Sequence, residues 1–328
     1  MTRIADAMVL VMTRGGSLAS WRDAGVLERE WALYERIARH YERIVVAGYG
    51  DDEDREIARS LGGSPSVVCH HGACDTLDRE ADLPALVSRE LGGVSCVVVK
   101  TNQFQGGDAA VSIARTLRSR GVCAALLARG GYDYSRGFAV RFGPASVEAI
   151  DAAGEEGRLL AQADRMVVTT DRIAELLAWR HGVDPSRFDV VPNYVDGVAL
   201  SAPTVEREAR TVLAVGRLDP QKRLDLLVDA CALIGDVHLV IVGDGVCRDG
   251  LQARCREQGV DAVFLGQLDG TRVYEQMRRC GVFVQCSVWE GHPKTVREAQ
   301  ACGAPVVGVH APGLSEALEP EHAGLLAR

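Results

Sequence analysis

"TVLAVGRLDPQKRLDLL", residues 211–227, sets the fold. Its first half is an apolar run that ends at Gly216, the form of a strand buried on both faces. Its second half leads into a helix-length segment at about 223–234. Between the halves lies a strand-to-helix turn with a glycine, a proline and two cations, Arg217 and Lys222. Four further apolar runs follow: "VHLVIVGDG" (237–245), "AVFLGQL" (262–268), "GVFVQCS" (281–287) and "PVVGVH" (305–310). Helix-length segments at about 223–234, 249–258, 271–280 and 294–302 separate them. This alternation belongs to a mainly parallel sheet covered by helices on both faces.

The same rhythm runs upstream. "AMVLVM" (7–12), "RIVVAG" (43–48), "SVVCH" (66–70), "SCVVVK" (95–100), "VCAALLA" (122–128) and "RMVVTT" (165–170) read as buried strands. Helical segments such as 22–39, 108–120 and 145–162 lie between them. "SAPTVEREAR" (201–210) is polar, contains a proline and has no apolar face, so it reads as an interdomain linker. The expected class is α/β, with two Rossmann-like doubly wound domains, 1–200 and 201–328, facing a cleft. Ligands of such sheets bind at the carboxyl ends of the strands.

Composition narrows the function. The chain of 328 residues is 47% hydrophobic and 25% charged, with net charge −8. That profile fits a globular protein with a real core. It argues against a general nucleic-acid partner and against electrostatic attachment to anionic lipid. No apolar run approaches the ~18 residues of a transmembrane helix. "MTRIADAMVLVMTRGG" at the start reads as a first core strand and not as a signal peptide. A cytoplasmic location is expected, with a peripheral position at the inner face of a membrane left open. The ten cysteines form no CxxC pair and read as reduced core thiols, without metal-site spacing.

Lysine is rare: Lys100, Lys222 and Lys294 stand against 34 arginines. Two of the three fall in loops suited to anions. At 216–222, Gly216 permits close backbone approach, Arg217 can grip phosphate oxygens bidentately and Lys222 adds a point charge. The plainer alternative is a solvated loop with ordinary surface cations. The second loop is "WEGHPKTVREAQACGAPVV" (289–307). Pro293 suits a first helical position, and the free N–H groups there, with Lys294 in the first turn, favour an anion. Glu298, one to two turns in, can accept both hydroxyls of a vicinal diol such as ribose, and Glu290 can hold sugar hydroxyls. The alternative for Glu298 is a surface ion pair with Arg297.

Taken together, "GRLDPQK", "EGHPKTVRE" and "ACGAPVVG" resemble the nucleotide-sugar half of family 4 glycosyltransferases, which have the GT-B fold. "VVPNYVD" (190–196) looks like that family's element before the hinge. The resemblance covers 165–328 and is fold-level before that. It implies a retaining hexosyltransferase that uses a nucleotide-sugar donor and a hydroxyl acceptor, of a small-molecule or lipid-linked saccharide, in glycoconjugate, polysaccharide or natural-product synthesis. No metal or other cofactor is implied. Arg217 and Lys222 would hold the diphosphate, Glu298 the ribose, and the turn near Leu268 the base. Glu290, with the segment Gly291, His292, Pro293, Lys294 and Thr295, would meet the sugar and β-phosphate. The leaving phosphate and entering hydroxyl would share one face of the sugar, with Arg217, Lys222 and Glu290 as the catalytic set.

In the first domain, Gly15, Gly16, Lys100, Asn102, Arg129 and Tyr132 follow strands and are acceptor candidates. Many family members carry a histidine after the fourth strand, where this chain has "KTNQ"; His70 and His71 are substitutes from an earlier strand. The family also continues past "HAGLLAR", so a truncated chain, a missing clamp or a protein partner covering the short end is expected. Asp52-x-Asp54 could suggest a metal-binding DxD, but acids at a helix start explain it more simply. "VGDGVCRDG" and "AGYGDD" lack a full dinucleotide fingerprint. Two rivals stay open. One is a GT-B sugar-nucleotide epimerase using Asp108 and Asp133; the other is a non-catalytic sugar-nucleotide-binding subunit.

Overall fold

The computed structural model describes residues 3–69, 82–195, 197, 199, 205–318 and 325–327. The chain divides into two compact units, Met1–Pro192 and Asn193–Arg328. The first holds seven strands: β1 (Ala7–Val11), β2 (Arg43–Gly48), β3 (Ser66–Cys69), β4 (Cys96–Thr101), β5 (Cys123–Arg129), β6 (Arg165–Val168) and β7 (Phe188–Val190). Their order is β3-β2-β1-β4-β5-β6-β7, and every pairing is parallel. The second holds β8 (Glu208–Val215), β9 (His238–Val242), β10 (Asp261–Gly266), β11 (Cys280–Gln285), β12 (Val306–Val309) and β13 (Leu325–Ala327). These pair in parallel in the order β10-β9-β8-β11-β12-β13.

Both orders reverse direction at one point, β1 beside β4 and β8 beside β11. Helices leave opposite faces on the two sides of such a point, which opens a crevice at the carboxyl ends of the two strands. The loops after β8 and β11 flank that crevice in the second unit. Those after β1 and β4 flank it in the first.

Alternation along the strands explains why both faces are covered. In β1, Met8 and Leu10 pack with Trp31 and Tyr34, while Val9 and Val11 pack with Leu83 and Ile113. In β8, Leu213 joins Met277 and Phe283, while Val212 and Ala214 join Leu227 and Val228. The fold is thus the expected α/β class with two Rossmann-like units.

Three local readings change. β8 starts at Glu208, inside the stretch read as linker, because Glu208 pairs in register with Cys280. β7 and β13 have three residues each, too short to show a period in sequence. Asp54 is fully buried, and its carboxylate accepts the N–H groups of Leu18 (3.1 Å) and Ala19 (2.8 Å). It caps the helix that follows β1, while Asp52 pairs with Arg55.

The nine cysteines among the described residues are free thiols. Burial pushes Cys280 and Cys286 up to about 11 and Cys69 to about 12, which makes these three poor nucleophiles. Among the described residues no helix is long and apolar enough to cross a membrane.

Candidate functional site

The site of the second unit starts where β8 ends. The Gly216 N–H donates to the Val242 carbonyl (2.9 Å), extending the ladder one residue. Leu218 N–H then bonds Asp244 O, and Cys247 N–H bonds Leu218 O, both at 2.9 Å. These bonds bring two loops so close that a Cβ at Gly243 would lie 1.9 Å from the Gly216 carbonyl oxygen. Only glycine fits there, at φ 128°. A 3-10 turn, Pro220–Lys222, returns the Lys222 side chain along Gly216. There the Lys222 ammonium donates to Glu290 Oε1 at 2.6 Å. Arg217 is largely in solvent: its side chain is 75% exposed, with Asp219 Oδ2 at 3.4 Å.

Glu290 is supplied from the end of β11. Gln285, the last residue of that strand, is 3% exposed, and Ser287 is fully buried. A buried primary amide needs partners for both its N–H bonds. Gln285 Nε2 gives one to Glu290 Oε1 and one to Ser287 Oγ, each at 2.8 Å. The loop between is clamped by Gln221, whose carbonyl accepts the Val288 N–H and whose amide donates to Trp289 O, both at 2.9 Å. From the other side the Glu290 N–H donates to Pro312 O (2.8 Å). A Cβ at Gly313 would stand 2.1 Å from the Glu290 carbonyl oxygen. Glu290 is therefore held by backbone and side chain together.

The helix Lys294–Ala301 comes next. Pro293 occupies its cap position, one residue before the first helical place expected for it, and as the cap residue it makes no side-chain hydrogen bond to the first turn. The leading N–H groups lack intrahelical partners by construction. Lys294 places its ammonium 5.7 Å from the centre of the Tyr194 ring, and Thr295 follows half-buried. Gly291 and His292 are buried. His292 accepts from Asn193: its Nδ1 takes the backbone N–H (3.3 Å) and its carbonyl the side-chain amide (2.7 Å). Arg297 reaches the other ring nitrogen at 3.4 Å, and burial lowers the Arg297 pKa. Glu298 is 3% exposed, which removes the surface-pair alternative. Leu268, past β10, packs partly buried against the core that holds Phe283 and Val296. Gly216, Lys222 and Glu290 thus meet directly and Gly291 to Glu298 continue from them, while Arg217 extends into solvent.

Sequence reasoning missed Gln285, Gln221, Asn193 and Tyr194. Gln285 carried a signal, as a lone amide closing an apolar strand.

In the first unit the loops after β1 and β4 are joined. Asn102 N–H donates to Val11 O (2.8 Å), and its side chain donates to Thr13 Oγ1 (3.1 Å). Gly15 turns at φ 74° and Gly16 closes the turn on Thr13 O (2.7 Å). Arg129 reaches the Asn102 carbonyl at 3.4 Å, and the Tyr132 ring meets Tyr134 edge-on at 6.4 Å. Lys100 does not project from the strand end. It is 7% exposed, bonds the Tyr34 hydroxyl at 2.9 Å, and is held at about 7 by burial and then by Arg129. Sequence reading also missed Arg14, held at 3.0 Å by the buried Glu155, which accepts from Gly106 N–H and the Tyr134 hydroxyl as well (both 2.9 Å). Asp108 is engaged bidentately by Arg158, and Asp133 by Arg180. His70 and His71 lie outside the described residues, as do Asp196 and residues 201–204 of the linker stretch.

Residues 201–328 match the family "Glycosyl transferases group 1". The chain is 34% identical over 191 residues to a D-inositol 3-phosphate glycosyltransferase of Mycolicibacterium gilvum, covering 53% of this chain and 43% of that protein. It thus spans less than half the length of the curated relatives it matches. Among solved structures it is similar to Anabaena HepE in complex with UDP and glucose, with a TM-score of 0.72, 18% identity, and coverage of 98% of this chain and 85% of that one. It is also similar to a sucrose-phosphate synthase from Thermosynechococcus elongatus, with a TM-score of 0.71, 20% identity and the same coverages. These structural likenesses establish the fold, the two-domain α/β architecture called GT-B.

Proposed function

We propose that this chain is a retaining glycosyltransferase of family 4, which moves a hexose-type sugar from a nucleotide-sugar donor to a hydroxyl acceptor without a metal. The observation that carries the reading is the Lys222–Glu290 pair at the β8/β11 switch point, beside a helix start whose cap residue, Pro293, makes no side-chain hydrogen bond to it. A cation, an anion-favouring helix end and a fixed carboxylate suit a diphosphate joined to a sugar. The match of 201–328 to a glycosyltransferase family supports it, as does the likeness to a protein solved with UDP and glucose.

In this reading Lys222, Arg217 and the Lys294 helix start take the charge that grows on the leaving diphosphate. Preorganised electrostatic stabilisation of that kind is commonly the largest contribution an active site makes. Arg217 swings in from solvent onto the bound phosphates. Glu290 accepts from donor-sugar hydroxyls, Glu298 from the ribose, and the turn at Leu268 meets the base. The acceptor hydroxyl enters on the face the phosphate leaves. Acceptor contacts come from Gly15, Gly16, Asn102, Arg129 and Tyr132, with Arg14 added. A saccharide of polysaccharide, glycoconjugate or natural-product synthesis is the acceptor class, met in the cytoplasm or at the inner membrane face.

The epimerase rival is disfavoured because Asp108 and Asp133 are both tied up by arginines. The test is a thermal-shift screen of nucleotide sugars followed by nucleotide release with and without acceptor. Acceptor-dependent release is expected. Isomerised nucleotide sugar would establish the epimerase instead, and binding without turnover would establish a non-catalytic subunit.

A further inference from the structure

The pair at the centre of the site poses a conflict. Lys222 Nζ is bonded to Glu290 Oε1, yet the proposed reaction needs the same ammonium for phosphate oxygens. Once a diphosphate draws it away, Glu290 loses its counter-charge. A carboxylate so little exposed then turns aside unless another donor holds it.

We infer that Gln285 is that donor, a positioning residue that keeps Glu290 aimed at the donor sugar while Lys222 serves the phosphates. Its Nε2 is 2.8 Å from the same Oε1, so Lys222 and Gln285 hold one oxygen from two sides. The amide cannot flip without loss, because its second N–H is spent on the buried Ser287 Oγ and a flip would set its carbonyl against a carboxylate. Being neutral, the amide does not compete for the diphosphate. Oε2 of Glu290 takes no protein donor among the described residues, which leaves one directed acceptor for a sugar hydroxyl. The inference rests on the donor-site reading above and adds what fixes its geometry.

The test compares UDP with UDP-glucose by calorimetry on the whole chain. Gln285→Leu should weaken UDP-glucose about tenfold, the scale of a lost hydrogen bond to a charged group, and leave UDP within about twofold. Placed on Glu290→Ala, the same substitution should change neither ligand further. Equal weakening of UDP and UDP-glucose would overturn the inference, as would an undiminished loss in the Glu290→Ala background. If the unsubstituted protein binds neither probe, the UDP-glucose donor reading fails on its own. A ligand-free crystal structure of Gln285→Leu at high phosphate then decides the positioning role: Glu290 displaced supports it, Glu290 in place refutes it.

Discussion

Lys222 and Glu290, 68 positions apart, share a 2.6 Å charged hydrogen bond at the carboxyl ends of β8 and β11. Only the reversal of strand order between those two strands brings their loops side by side.

Removing one member leaves the other half-satisfied in a mostly buried place. Lys222→Met is expected to lower unfolding free energy by about 1–3 kcal/mol. The double variant with Glu290→Met should lose less than the two single losses added, because neither charge is then stranded. Urea unfolding of the four proteins measures the coupling, and strict additivity would contradict it.

Arg217 should behave in the opposite manner. Its side chain is largely in solvent, so Arg217→Ala should leave stability within about 0.5 kcal/mol. Donor binding should nonetheless fall about tenfold, from the loss of a charge-assisted contact to phosphate. Matched unfolding and calorimetric titrations separate the two, and an unchanged Kd would remove Arg217 from the site.

Gly313 is the structural counterpart. Its φ of 75° and the 2.1 Å approach of a Cβ to the Glu290 carbonyl leave no room for a side chain. Gly313→Ala is expected to cost about 2 kcal/mol or more, from left-handed strain and loop displacement together. A lowered Tm together with weakened nucleotide-sugar binding is the expected pair of readings. An unchanged Tm would mean the loop moves freely.

Lys100 provides a pH test away from the donor loops. Its folded pKa of about 7 lies below the ordinary lysine value near 10.4, because burial disfavours the charge and Arg129 repels it. Between those values the unfolded chain binds the extra proton, so this residue's contribution to stability improves as pH rises through that window. The stability difference between the unsubstituted protein and Lys100→Met should shift toward the former from pH 7 to pH 9.5. A flat difference would show that Lys100 titrates normally.

The sheet class and the two turns that carry Lys222 and Lys294 were legible because strands buried on both faces read as unbroken apolar runs, and turns announce themselves with glycine and proline. Lys222 and Glu290 could be named as neighbours only through the family resemblance, since no spacing along the chain predicts a contact across 68 positions. Lys100 misled for a plain reason: in a strand covered on both faces a lysine is buried whichever way it points, and here it lies against Tyr34. Gln285 shows the reverse. An amide closing an apolar strand stands out in sequence, yet its role is unreadable until its two acceptors are known. Arg14 needed Glu155, whose partner lies 141 positions away.

The scarcity of lysine gives the site an unplanned convenience. Lys100 is sealed under Tyr34 and Lys222 is mostly buried against Glu290, so amine-selective acylation of the folded chain has Lys294 as its reporter, apart from the terminal amine. Lys294 stands in the proposed donor cradle. A mass spectrum of the acetylated protein thus becomes an occupancy gauge: each bound nucleotide sugar should appear as a missing label, read without a substrate assay or an engineered probe.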